Sequence, residues 1–69
     1  VGLDAQLLEA HAQGDKRRLA ALYERAADEA PSVDATCFFL TQAYVFALDA
    51  GDARATALHA RLKQHGREA

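Results

Sequence analysis

The sequence predicts an all-α fold: four antiparallel helices, arranged as two helix–turn–helix repeats in a single domain over residues 1–69. Three observations carry that reading. First, β-branched residues number only six (Val1, Val33, Val45, Thr36, Thr41 and Thr56), while alanine supplies 17 residues and leucine nine. Second, Gly-Asp occurs twice, at Gly14-Asp15 and Gly51-Asp52, 37 residues apart. Third, the segments between these signals place apolar residues at helical rather than alternating spacing.

The first helix is predicted over 3–13, with Leu3, Leu7 and Ala10 on one side and Leu8 and His11 drifting off it. Glycine reaches the left-handed conformation that closes a helix at low cost, so Gly14 ends it. Asp15 then accepts amide hydrogen bonds as the cap of the second helix, predicted over 15–30. That helix shows one stripe of Leu19, Leu22, Tyr23, Ala26, Ala27 and Ala30, with its charges opposite. Pro31 stops it, and either Ser32 or Asp34 caps a third helix over 34–50. Gly51-Asp52 repeats the first joint and starts a fourth helix over 52–65, where Ala55, Leu58, Leu62 and His65 face inward. Arg54, Arg61 and Lys63 lie outside that stripe.

The third helix differs from the others. At about 100° per residue, Cys37, Leu40, Tyr44 and Leu48 form one side, Phe39 and Phe46 the opposite side, and Phe38 with Val45 lies between. Four of the five aromatic residues are in this one helix. A helix apolar nearly all round is normally buried on several sides. Its neighbours here are short and rich in alanine.

Length sharpens that mismatch. A chain of 69 residues buries only about 60% of the surface its unfolded form exposes. A cleft between domains, a doubly wound sheet and a barrel are excluded, and the core is marginal. The missing burial is therefore expected to come from another chain. Phe38, Phe39, Val45 and Phe46 are the candidate protein-interaction residues, and a homodimer through the third helix is the expected form.

Charge and motifs narrow the chemistry. Eight Lys and Arg against ten Asp and Glu give a net charge of −2, which argues against a dedicated nucleic-acid binder. The charge is uneven: −2 over residues 1–14, zero over 15–31, −2 over 32–50 and +2 over 51–69. The one basic run, Lys16-Arg17-Arg18, is a candidate contact for an anionic partner, although Glu9 or Asp4 across the turn can also neutralise it. Together with Arg61, Lys63 and Arg67 the run is the basis of an alternative reading as a nucleic-acid accessory.

Cys37 is the single cysteine, so no internal disulfide forms and a cytoplasmic setting is expected; its place beside Leu40 and Tyr44 reads as core filler. His11, His59 and His65 follow no metal-ligand spacing, and Asp15 and Asp52 are occupied as caps rather than as paired catalytic acids. A metal- or ligand-binding bundle would require His11 and His59 to cluster. No catalytic or cofactor motif is present, so the chain reads as non-enzymatic and without a cofactor.

No leader segment is visible at Val1-Gly2-Leu3-Asp4, and the absence of an initial Met reads as either a trimmed chain or a domain excised from a longer one. The longest apolar stretch, Cys37 to Leu48, covers twelve residues interrupted by Thr41 and Gln42. A membrane span needs roughly 20.

The 37-residue repeat resembles the tetratricopeptide family, including its Sel-type variants with slightly longer units. The resemblance runs through Leu3, Leu7, Ala10, Gly14-Asp15, Leu19, Tyr23, Ala26 and Pro31, and again through Leu40, Ala43-Tyr44, Ala47 and Gly51-Asp52. Leu22-Tyr23-Glu24-Arg25-Ala26-Ala27 reads like the second helix of a Sel-type unit. The last helix departs from the pattern, with Ala60 and Lys63 where an aromatic and a small residue belong, and reads as a polar cap. The resemblance implies a right-handed helical stack that binds protein and performs no catalysis.

Overall fold

Four α-helices follow in order: α1 (Leu3–Gln13), α2 (Lys16–Glu29), α3 (Val33–Ala50) and α4 (Arg54–Gln64). They come from a computed structural model that describes residues 2–66, and no strand occurs among the described residues. The fold is all-α.

The two Gly-Asp joints close their first helix in the same way. Gly14 (φ 66°, ψ 27°) and Gly51 (φ 66°, ψ 31°) both adopt the left-handed conformation. The amide of Asp15 donates to the Ala10 carbonyl at 3.1 Å, and that of Asp52 to the Ala47 carbonyl at 2.9 Å. Each joint thereby satisfies carbonyls that a helix end leaves without partners. Asp15 caps α2 by accepting from the Arg18 amide at 3.1 Å. At α3, Ser32 is the cap, its hydroxyl oxygen accepting from the Ala35 amide at 3.2 Å, so the helix begins at Val33 rather than at 34.

The second joint departs from expectation after Asp52. Its carboxylate accepts from the Arg54 amide at 3.0 Å, and tight i→i−3 bonds from Ala55 to Asp52 and from Thr56 to Ala53 precede the regular helix. α4 therefore begins at Arg54, two residues later than the sequence suggests. At its other end it stops at Gln64, and His65 is exposed rather than inward.

Packing follows chain order: α1 on α2, α2 on α3, and α3 on α4. Leu40, Leu58 and Leu62 are the large side chains that are fully buried among the described residues. Around them the contact surfaces are made of alanine: Ala20 and Ala27 on α2, Ala43 and Ala47 on α3. A smaller cluster, Ala10 with Leu19 and Leu22, joins α1 to α2, with Leu3 and Leu7 against it. The result is a plate of 32 × 28 × 12 Å, wide in two directions and thin in the third.

Ion pairs lace the periphery. On α4, Arg54 reaches Glu24 at 3.6 Å, while Arg61 reaches Glu24 at 3.7 Å and Asp28 at 2.7 Å, which ties α4 to α2. Arg54 Nε also lies 3.2 Å from Asp52 Oδ2, out of line for a hydrogen bond. Pairs of this exposure contribute about 0–1 kcal/mol each and act mainly on register.

One expected core residue is misplaced by the sequence. Leu48, expected beside Leu40 and Tyr44, is exposed. The α4 residues that face it across a shallow hollow are Ala55, Thr56 and His59, and the two nearest the joint are too small to close over it.

Three substitutions test this account. Gly14→Ala and Gly51→Ala should each destabilise by about 1–2 kcal/mol, because a side chain at positive φ is strained. Leu40→Ala should cost about 2–5 kcal/mol, enough to leave a domain of this size largely unfolded. Chemical denaturation followed by circular dichroism reads all three. Equal midpoints for wild type and Gly51→Ala would contradict the role assigned to the joint.

Candidate interaction surface

The site is built on α3, whose two heptad-spaced pairs point in different directions. Phe39 and Phe46 turn toward α2 and are half-buried against Tyr23. The Tyr23 ring stacks on Phe46 with centroids 5.7 Å apart and planes within 7°, and on Phe39 at 6.2 Å. Phe38 and Val45, one position earlier in each turn, face solvent with 57% and 47% of their surface exposed. Phe38 still touches the cluster, its ring edge-on to Phe39 at 5.4 Å.

α1 closes the other side. Its His11 ring stands edge-on to Phe46 at 5.9 Å, and His11 Nε2 lies 3.1 Å from the Tyr23 hydroxyl. A hollow of about 460 Å³ opens here, lined by Asp4, Leu7, Leu8, His11 and Tyr23. Five rings (His11, Tyr23, Phe46, Phe39 and Phe38) thus form a continuous path across three helices, and it reaches solvent at both ends. Aromatic pairs in such arrangements add about 0.5–1.5 kcal/mol beyond their burial. The path stiffens the surface it exposes. Beside it on α1 Leu8 is 71% exposed, while Leu48, on the opposite flank of α3 near Tyr44 and His59, is 56% exposed.

The four aromatic and aliphatic residues singled out from sequence therefore separate. Phe39 and Phe46 are supports, and Phe38 and Val45 are the exposed surface. Sequence reasoning missed Tyr23, Leu8 and His11 as members of this surface, and missed that Leu48 is exposed on the other flank of α3. Tyr23 lies on the core stripe of α2, and Leu8 and His11 were visible only as residues drifting off the apolar side of α1.

The basic run is distributed over three carboxylates. Lys16 pairs with Asp49 at 3.6 Å, Arg17 with Asp52 at 3.8 Å and Arg18 with Glu9 at 3.0 Å. Arg61 is engaged by Glu24 and Asp28, Lys63 is exposed, and Arg67 lies outside the described residues. As for metal ligands, His59 packs on Tyr44 with centroids 5.5 Å apart, and His11 packs on Phe46. Positions 44 and 46 are about 200° apart on a helix, so the two histidines sit on opposite flanks of α3. Among the described residues no group of three His, Cys, Asp or Glu is placed to hold a metal ion. Cys37 is buried as a free thiol, and among the described residues no helix is long and apolar enough to cross a membrane.

Comparison with known proteins finds no matching family model, no matching curated protein and no matching solved structure.

Supports and surface should respond differently to truncation. Phe46→Ala removes contacts to Tyr23 and His11 and should cost about 2–4 kcal/mol, whereas Tyr23→Phe keeps the stacked ring and loses one exposed hydrogen bond, about 1 kcal/mol or less. Thermal melts of both variants check the order. A Tyr23→Phe loss as large as that of Phe46→Ala would mean that the hydroxyl, not the ring stack, holds α1 in place.

Proposed function

We propose that this chain is a small, non-enzymatic protein–protein interaction module whose docking surface is the exposed side of α3 with the adjoining flank of α1. The observation that carries this reading is the exposure of Phe38, Val45 and Leu48 on one helix, in a molecule whose own core is filled largely by alanine. Burying one such side chain in a partner's pocket contributes about 1.5–3 kcal/mol, and a few anchors of this kind dominate the energy of a typical interface. Polar and charged residues around them set register.

The matched left-handed closures at Gly14 and Gly51 support reading the chain as two repeated helix–turn–helix units of tetratricopeptide type. A cytoplasmic setting and a homodimer through α3 belong to the same proposal. The engagement of Lys16, Arg17 and Arg18 by carboxylates favours protein over nucleic acid as the partner.

Sedimentation equilibrium across a wide concentration range tests the self-associating form. Phe38→Ser and Val45→Ser should leave the helical signal intact, because both residues are exposed, and should shift any dimer to monomer. A dimer that survives both substitutions would move the interface away from α3.

A further inference from the structure

One face of α1 carries a carboxylate, two leucines and a ring in succession. Asp4, Leu7, Leu8 and His11 follow the i, i+3, i+4, i+7 spacing of a single helix side. With Tyr23 of α2 as the opposite wall they line the hollow of about 460 Å³, a volume within the roughly 300–1,000 Å³ of small-molecule sites. Its two ends differ in chemistry. Asp4 stands at one end, about 10 Å along the axis from His11 at 1.5 Å per residue. At the other, His11 Nε2 and the Tyr23 hydroxyl lie 3.1 Å apart, with the Phe46 ring edge-on to His11. Between the ends are apolar walls: Leu7 packs toward α2, and Leu8 is the most exposed large apolar side chain among the described residues.

Asp4 is set apart from the other carboxylates. Among the described residues each of the others interacts with a further group of the protein, whereas Asp4 meets neither a cation nor a hydrogen-bond donor. The helix dipole favours an acid in this turn, but position 5 or 6 would serve it as well, and position 4 is the one that faces the hollow. A carboxylate at the end of a hollow walled by leucine and rings selects a cation with a flat apolar body. The charge stays at the solvent-facing end, and the ring is buried edge-on or stacked against its walls. We propose that this hollow is a binding site for a small aromatic amine. The ammonium stands on the Asp4 carboxylate, and the ring lies between Leu8 and the Tyr23–His11 pair. His59 takes no part, and the site does not depend on association through α3.

Three probes with the same ring and two-carbon arm test this: 2-phenylethylamine, 2-phenylethanol and 3-phenylpropionate. Each is titrated into the isotope-labelled full chain and followed by amide NMR. The amine should bind with Kd on the order of 1 mM, about threefold tighter than the alcohol and about tenfold tighter than the carboxylate. Shifts should centre on residues 4–11 and Tyr23. Asp4→Asn should bring amine and alcohol to equal affinity. Glu29→Gln, which removes the same charge from the last turn of α2, should leave the preference intact. Leu8→Ser should weaken all three probes about threefold or more, with the circular dichroism spectrum unchanged.

Equal affinity of amine and alcohol for the wild-type chain would overturn the role of Asp4. Shifts centred on α3, or loss of amine binding in Phe38→Ser, would move the site off α1. N-acetyl-lysine amide binding as tightly as 2-phenylethylamine would overturn the aromatic body in favour of an aliphatic stem. Failure of every probe to bind would remove the site and leave the association reading, which sedimentation tests, untouched.

Discussion

Close approach of helices across alanine is the constraint on which the rest of this molecule depends. Ala20 and Ala27 on α2 meet Ala43 and Ala47 on α3, and the last two are wholly buried. Alanine costs no side-chain entropy on ordering and lets backbones come near, but it removes little apolar area from water. The few leucines at full burial, Leu40, Leu58 and Leu62, supply what area there is. A core of this kind is thin by necessity, and the 12 Å dimension of the plate expresses it. Thinness has a further consequence: α3, with α2 and α4 against it, keeps one side uncovered.

Electrostatics complements this packing without replacing it. Six cations (Lys16, Arg17, Arg18, Arg25, Arg54 and Arg61) lie within 4.0 Å of carboxylates, Arg25 within α2 and the others mostly between elements, nearly all at partly exposed sites. Individually such pairs contribute little to stability. Collectively they fix which turn of α4 sits beside which turn of α2, a matter on which featureless alanine surfaces are permissive. They also engage six of the eight Lys and Arg residues with the protein's own carboxylates. The exposed side of α3 is left mainly apolar.

Much of the fold was legible in the sequence because its determinants are local. Gly14 and Gly51 had to adopt positive φ if helices were to end there, and Asp15 needed only three residues of helix beyond it to act as a cap. The site was legible only in part. Angular position placed Phe39 on the side of α3 opposite Leu40 and Phe38 between the two, but which of them is covered depends on Tyr23, a residue of another helix. Leu48 fails for the same reason in reverse: its angle suits the core, and only the small size of Ala55 and Thr56 leaves it exposed. The start of α4 depends on how Asp52 divides its carboxylate between the Arg54 amide and the ion pairs of Arg17 and Arg54. Helix periodicity does not contain that information.

The seven-residue spacing shared by Phe39/Phe46 and Phe38/Val45 links stability to recognition in one element. Residues seven apart lie on nearly the same side of a helix, so adjacent heptad pairs diverge by about one residue's rotation, roughly 100°. That rotation separates a pair stacked on Tyr23 from a pair facing solvent. The inner pair therefore sets the angle at which the outer pair is presented, and the edge contact of Phe38 on Phe39 transmits it directly. A partner binding the outer pair meets side chains already held in orientation, so less conformational entropy is lost on association than for mobile side chains. In a molecule with so small a core, concentrating the large residues in α3 gives one helix both tasks, and it makes the exposed stripe a consequence of how the inner aromatic cluster is anchored.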